Sequence, residues 1–532
     1  MAEKRGYGIG LQWFPDFIER EAIYVDKTAY VYKLAHRKSK NYFLSRPRRF
    51  GKSLLVSTLQ CYFEGRKELF RGLAIENLET EWVKYPVIRI DLSNGKYFNI
   101  SNSLSTINGI LRRIEEQWGI TNVPKEASYN DRLTEVIQAA HRQTGKQVVV
   151  LIDEYDAPML DSMHKPELQD ELREHVRDLF SPLKSQAEYL KFVFLTGISK
   201  FSQLSVFSEL NNLNVLTFNP EFEGICGITE EELFTQLKPD IEWLAAASSR
   251  YGRKQMTYEE TVEKLKLMYD GYHFTQRMTD IYNPWSVFYA FEQGLIDNYW
   301  FSTGTPSSLI NLMKVKHLDT RNLECINVPI EVFDAPTEHI SDPIPALFQS
   351  GYLTIKGYNA EENTFTLGFP NQEVYLGFAK SLYKYYCEEY VGSDYQMGNV
   401  FRNLRYGRIT FEQFLEAVQK WYAGIPYSIT DKNQNEQFYQ SLFYSLMVGI
   451  GADVEAEGQT SDGRFDIALK LRDAIYILEF KFGKTAEEAT AQVLTKDYAV
   501  RFAADERPVY AVGLNISPDR RTIESYEIVE CK

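Results

Sequence analysis

The segment Ser45-Arg46-Pro47-Arg48-Arg49-Phe50-Gly51-Lys52-Ser53 contains the residue types that grip a phosphate. Gly51 lets the backbone approach a phosphate without a Cβ in the way. Lys52 can reach the outer phosphates, and the Ser53 hydroxyl suits Mg²⁺. Arg48 or Arg49 adds positive charge. The pattern G-x-x-x-x-G-K-[ST] survives only in its second half, because Arg46 stands where the first Gly belongs. By itself GKS is mostly chance. A second piece changes that reading: the apolar run 148–152 leads into Asp153-Glu154. In phosphate-loop NTPases the first acid holds Mg²⁺ through water, and the next often polarises the attacking water. Without GKS upstream, the same residues would be a strand before a solvated acidic turn. A third apolar run, 192–195, ends in Thr196-Gly197-Ile198-Ser199. Thr196 and Ser199 are the candidates to contact a γ-phosphate or orient the water. No residue stands out as an arginine finger.

A second set of chemical residues lies near the C-terminus. Residues 463–481 read as two strands around the polar turn Arg472-Asp473. A hairpin centred there puts Asp466 directly opposite Glu479 on one face. Lys481, two positions on, shares that face. Opposed carboxylates repel each other, and a divalent metal between them removes the conflict. Carboxylate oxygens suit Mg²⁺ or Mn²⁺. Such a metal polarises a phosphodiester and acidifies its bound water, while Lys481 positions the water or stabilises charge. The plainer reading is an exposed hairpin face closed by a Lys481 salt bridge. Glu436, on a helix expected over 435–448, can face the same metal. Residues 489–498 read as a further helix, on which Gln492 and Lys496 share a side.

The elements that must position these groups follow from the hydrophobic pattern. Apolar runs at 41–44, 87–91, 148–152 and 192–195 each end in a polar residue and alternate with amphipathic stretches. That is the signature of buried parallel strands in an α/β sheet covered on both faces. Ligands on such sheets sit at the carboxyl ends of strands, where Ser45, Asp153 and Thr196 fall. Around 269–300 the chain turns aromatic and mostly helical. Residues 343–355 read as a short helix, a Gly turn and a strand, compatible with a winged-helix fragment. Residues 373–425 read as helices with Tyr and Phe at packing intervals. The polar stretch 429–437 reads as a boundary before a compact α/β unit. The expected division is therefore 1–285, 286–427 and 428–532, in line with about three domains for 532 residues.

Composition excludes several classes. The chain is 44% hydrophobic and 25% charged, so it is neither collagen-like nor largely disordered. No apolar run is long enough to span a membrane, and the N-terminus lacks the apolar core of a secretion signal. The five cysteines are scattered and never form CxxC, which fits a reducing cytoplasm and no zinc ribbon. A net charge of −14 excludes a protein that coats nucleic acid, although a local basic strip can still bind it.

Two resemblances sharpen these readings. The blocks RPRRFGKS, VVVLIDEYDAP and FVFLTGISKF place residues 5–285 close to the AAA-ATPase-like family, common in gut Bacteroidetes and other anaerobic bacteria. In that family the first loop glycine is characteristically replaced. The resemblance implies ATP binding, in line with the residues read above: Arg49, Gly51, Lys52, Ser53, Asp153, Thr196 and Ser199 around the nucleotide, Mg²⁺ at Ser53 and Asp153, and Glu154 as the catalytic carboxylate that polarises the attacking water. ATP turnover is expected with it. Many AAA-type ATPases form rings, which leaves a homo-oligomer open.

The blocks GRFDIAL, ILEFK and AxxQVxxxxY place residues 430–518 close to the PD-(D/E)XK nuclease superfamily. By that resemblance Asp466, Glu479 and Lys481 match the core acid, acid and lysine. Glu436 matches the helix-one acid, Gln492 the downstream glutamine, and Tyr498 that motif's tyrosine, although packing explains a tyrosine there equally well. The combined expectation is an ATPase that powers or regulates a metal-dependent nuclease, with superfamily precedent favouring DNA over RNA. The rival expectations are an ATP switch that never cuts, favoured by Arg46 and the acidic charge, and a nuclease fold that binds DNA without chemistry.

Overall fold

The computed structural model describes residues 4–531 except 94, 125, 163–164, 200–212, 252–254, 301–322, 324, 335–342, 387–392, 426–434 and 461–462. The expected boundary at 429–437 lies largely outside the described residues. The chain divides into two compact units, one of Met1–Lys316 and Asn327–Glu373, the other of His317–Ile326 and Val374–Lys532. The stretch 286–427, expected as one middle region, is thus shared between them.

The first unit is built on a five-stranded sheet. Its strands are β1 (Asn41–Ser45), β2 (Val87–Asp91), β3 (Val148–Asp153), β4 (Leu190–Gly197) and β5 (Leu213–Val215), in the order β2-β3-β4-β1-β5. Every pairing is parallel. Side chains alternate across the sheet. Phe43, Ile88, Ile90, Val150, Ile152, Val193 and Leu195 enter a core with α2 (Ile100–Gln117), α3 (Tyr129–Thr144) and α4 (Pro166–Phe180). The opposite face carries Phe192, whose ring meets Phe63 at the end of α1 (Lys52–Phe63). Sequence fixes the helix ends locally. The Asn99 and Ser128 side chains accept from Asn102 N and Asp131 N, and Gly145, at φ +67°, ends α3.

Further along lie α5 (Pro284–Gln293) and α6 (Ile344–Gln349). After α6 come a turn at Gly351 (φ +85°) and the antiparallel pair Thr354–Asn359 and Thr364–Gly368. The helix, glycine turn and strand expected at 343–355 are therefore present.

Helix α7 (Gln372–Tyr386) leads into the second unit, which continues through α8 (Ser393–Arg405), α9 (Phe411–Ala423) and α10 (Glu436–Gly449). Its sheet contains β6 (Asp453–Ala456), β7 (Ile467–Lys470), β8 (Ile475–Phe482), β9 (Val509–Ile516) and β10 (Ile523–Glu530), in that spatial order. Helix α11 (Ala486–Thr495) connects β8 to β9, which run parallel. The second unit begins earlier than residue 428: Met397, Phe401 and Phe414 share one core with Ile467, Leu469, Leu478 and Phe480. No helix among the described residues is long and apolar enough to cross a membrane.

The sheet of the first unit depends on full burial of β3, where all six residues are enclosed. Leu151→Ala in its centre removes contacts that the surrounding strands cannot refill. It is expected to cost about 2–5 kcal/mol, read in urea melts as an earlier transition of the first unit.

Candidate functional sites

The first site lies at the carboxyl ends of β1, β3 and β4. Gly51 stands at φ +90°, a conformation that disfavours any side chain, and a Cβ there would meet open space. The next residues open α1, so the helix N-terminus faces the loop. Lys52 is buried; its Nζ donates to the carbonyls of Arg46 (3.1 Å) and Pro47 (3.2 Å) and lies 3.5 Å from Glu154 Oε1. Ser53 follows Lys52 in the first turn of α1, and Arg89 Nη2 lies 3.7 Å from Asp153 Oδ2. Asp153 closes β3, is 1% exposed, and leaves Oδ1 buried without a hydrogen-bond partner. Burial first, then the charge of Glu154, pushes its carboxyl up to about 6. Glu154 takes a left-handed backbone, φ +52°, which is strained for a residue with a side chain.

Arg46 explains how the loop works without its first glycine. Its guanidinium turns into the protein and donates to the carbonyls of Ser45, Thr217, Phe222 and Glu223. It also lies 4.0 Å over the Phe274 ring. The side chain is 1% exposed, and burial pulls its pKa down to about 10. The residue that breaks the pattern is therefore a floor beneath the loop and leaves the phosphate side clear. Arg49, expected at the phosphates, stacks 3.9 Å over Trp285 on α5.

Thr196 and Ser199 are placed differently from expectation. The Thr196 hydroxyl donates to Leu44 O, tying β4 to β1. The Ser199 hydroxyl donates to Asp156 Oδ2, which also accepts from the backbone N–H groups of Ile198 and Ser199. Both hydroxyl protons are thus committed inside the protein. Asp156 itself was missed. Its signal was the second Asp of DEYDAP, where a buried carboxylate must find donors. It ties the turn after β3 to the end of β4.

The second site stands where β7 and β8 meet α10 and α11. Ile467 pairs with Leu478 and Lys470 with Ile475, the register expected from the turn. Extended by one residue, it sets Asp466 opposite Glu479. Asp466 Oδ2 accepts from Phe480 N (2.8 Å) and Gln440 Nε2 (2.7 Å). Glu479 Oε1 accepts from Lys481 Nζ (3.1 Å) and Gln492 Nε2 (2.5 Å), while Oε2 is buried without a partner. Burial and the facing Asp466 push the Glu479 carboxyl well above its ordinary range. Burial works against the charge on Lys481, but Glu479, Glu436 and Asp466 outweigh it and raise the pKa. Glu436 lies 3.7 Å from Lys481 Nζ and within 3.4 Å of Gln440 Nε2.

Five of the six expected residues, Glu436, Asp466, Glu479, Lys481 and Gln492, are therefore linked in one network. Among the described residues, however, no three His, Cys, Asp or Glu side chains are arranged to hold a metal jointly. Glu436 joins through Gln440 and Lys481. Gln440 was overlooked, although it stands one helical turn after Glu436 and so on the same face. Its amide bridges two carboxylates without adding a cation. Tyr498 is 2% exposed and packs on Phe465, the packing alternative weighed for it. The helix expected to include it stops at Thr495, and Asp497 turns left-handed at φ +46°.

These two sites define the class: a P-loop-type α/β unit joined to a sheet unit with a carboxylate–lysine hairpin. The family described as predicted AAA-ATPase matches residues 8–207. The PD-(D/E)XK nuclease superfamily matches residues 434–526. A protein of Azotobacter chroococcum mcd 1, named "Uncharacterized protein in vnfD 5'region", is 31% identical over 538 residues, covering 98% of this chain and 98% of that protein. The chain belongs to the predicted AAA-ATPase family and carries a nuclease-superfamily domain at its C-terminal end. The Aeropyrum pernix ORC2 protein, solved in ADPNP–ADP complexes, aligns over 65% of this chain and 88% of its own at 14% identity. Its TM-score of 0.25 is too low to add to what the sheet order shows.

Two substitutions follow from these contacts. Arg46→Gly, which restores the usual loop pattern, is expected to destabilise the first unit by roughly 2–4 kcal/mol, because four buried carbonyls lose their donors. Chemical denaturation reads this directly. Gln440→Leu keeps the volume but removes the amide between Glu436 and Asp466. Titration calorimetry is expected to show Mn²⁺ affinity roughly 10–100-fold weaker, with the melting temperature of the metal-free protein little changed.

Proposed function

We propose that the first unit binds and hydrolyses ATP and that the second cleaves nucleic acid, DNA by preference, with ATP controlling the cutting. The carrying observation is common to both sites. A buried strand presents a carboxylate with one oxygen left unpartnered, at Asp153 where β3 ends and at Glu479 within β8. Near each site stands a lysine: Lys52 Nζ lies 3.5 Å from Glu154, beside Asp153, and Lys481 Nζ lies 3.1 Å from Glu479. Burying a carboxylate oxygen without a donor is costly, and a hard divalent cation repays it. The residues present therefore fit Mg²⁺ at Ser53 and Asp153, and Mg²⁺ or Mn²⁺ at Asp466 and Glu479. When bound, such a cation neutralises phosphate charge and acidifies a coordinated water.

The protein's own residues supply the rest. The α1 N-terminus and Lys52 hold the phosphates, and Arg49 can leave the Trp285 ring to meet them. An apolar hollow lined by Tyr24, Val25, Phe50, Leu54 and Phe288 adjoins Gly51 and suits a flat base. Glu154 orients the attacking water, while Asp156, Thr196 and Ser199 hold the ends of β3 and β4 in place around it. In the second unit Gln440 and Gln492 fix Asp466 and Glu479, and Lys481 stabilises charge on the phosphodiester. The pattern of scattered cysteines fits work in the cytoplasm.

The test is cleavage of plasmid and single-stranded DNA with Mg²⁺ or Mn²⁺, with and without ATP. Metal-dependent cutting that vanishes in Asp466→Ala, and whose ATP response vanishes in Lys52→Ala, is expected. Cutting that persists in Asp466→Ala removes the second site. Unchanged ATP affinity in Lys52→Ala removes the first. No cutting under any condition leaves the ATP switch.

The carboxyl shifts add a pH signature. Asp153, raised to about 6, takes up a proton as pH falls through that value, and the proton competes with the metal. Thermal stabilisation of the first unit by Mg²⁺ with a non-hydrolysable ATP analogue is therefore expected to be full near pH 8 and to fade below about pH 6. A flat profile across that window removes Asp153 from the metal site.

A further inference from the structure

Phosphate backbones are recognised by Lys and Arg whose charge is not neutralised, and a chain with net charge −14 has to concentrate them where contact occurs. In the second unit a basic group adjoins the carboxylates. Where β8 and β9 end, their parallel pairing sets Lys481 beside Asn515. The turn after β8 carries Lys484, and the turn after β9 carries Arg520 and Arg521.

Asn515, itself buried, ties the turn after β8 to the start of β10. Its Oδ1 accepts from Lys484 N (3.1 Å), and its Nδ2 donates to Glu524 Oε2 (3.4 Å). Gly483 N donates to Ile516 O, and Ser517 N donates to Thr522 O. Arg521 is held at φ +58°, a left-handed backbone that a residue with a long side chain adopts only when its surroundings enforce it. Here Arg521 N donates to Ser517 O (2.8 Å). The charge of Arg521 acts on Tyr439, the neighbour of Gln440 on α10. Lys484 and Arg520 are exposed, and neither has an ion-pair partner among the described residues.

We propose that Lys484, Arg520 and Arg521 form a rigid basic rim that binds the phosphodiester backbone of a nucleic acid and lays it across Asp466, Glu479 and Lys481. The proposal rests on the nuclease-like reading for the purpose of the contact, but the rim binds backbone whether or not a bond is cut. A second exposed basic group, Arg402, Arg405 and Arg408 around Tyr406, has the same charge in a different place. It precedes α9, whose first residue, Phe411, stacks on Tyr476 near the start of β8, away from Glu479 and Lys481.

The two groups give a matched test. Fluorescence anisotropy would follow labelled single-stranded DNA, duplex DNA and RNA binding to the full-length Asp466→Ala protein in EDTA, where nothing is cut. The rim is reversed as Lys484→Glu/Arg520→Glu/Arg521→Glu, and the comparator as Arg402→Glu/Arg405→Glu/Arg408→Glu. The rim variant is expected to bind at least about tenfold more weakly, with a log–log salt slope shallower by about 2–3. The comparator is expected to stay within about twofold of the parent. Should the triple variant melt early, Lys484→Ala and Arg520→Ala singly are each expected to lower the slope by about 0.7–0.9. The nucleic acid that loses most identifies the ligand.

Equal loss in both triples assigns the effect to net charge and overturns the proposal. So does unaltered binding by the rim variant, or no binding by the parent. Binding through the rim by a protein that never cuts with Mn²⁺ retires the nuclease reading and keeps the rim. Cutting by an otherwise wild-type rim variant at the parental rate retires the rim and keeps the nuclease.

Discussion

A carboxylate on a buried strand is caught between two demands. Burial favours the protonated form, and metal chemistry requires the charged one. Both units of this protein are arranged around that conflict. Asp153 closes a strand with no exposed residue, and Glu479 is 2% exposed in the centre of its sheet. In each case neighbouring groups satisfy part of the carboxylate and leave one oxygen over. Arg89 lies 3.7 Å from Asp153; Lys481 and Gln492 serve Glu479. The surrounding architecture holds such an acid still: paired strands enclose it, and a helix N-terminus or a hairpin partner brings the second reacting group alongside.

The sequence was legible where a period or a turn determined position. The alternation of apolar runs and helices gave the parallel sheet, because only strands buried on both faces carry unbroken apolar residues. The turn at Arg472-Asp473 gave the β7–β8 register to the residue, because side chains alternate with period two and a slip would turn Asp466 away. Both results concern backbone, which local pattern specifies.

What was not legible concerned where side chains point. A polar residue at a strand end can turn toward ligand or into the sheet, and sequence does not choose. Thr196 and Ser199 turned inward, one to Leu44 O and the other to Asp156. Gln440 went unseen because an uncharged amide on an aromatic-rich helix gives no signal until the two carboxylates it bridges are placed. The packing of the helices before residue 428 was illegible for a related reason. Residues 393–423 look like connecting helices, yet their apolar faces complete the core under β7 and β8.

The buried Arg46 carries a consequence for how the loop meets a ligand. A glycine at the start of a phosphate loop leaves that stretch of backbone more conformational freedom than any other residue would. Here the start of the loop is fastened by one guanidinium to the carbonyls of Ser45, Thr217, Phe222 and Glu223. The conformational entropy that a flexible loop surrenders on binding has already been given up during folding. The cradle is thus prepaid and rigid, favouring an anion that already matches its shape and leaving little room to adapt to one that does not.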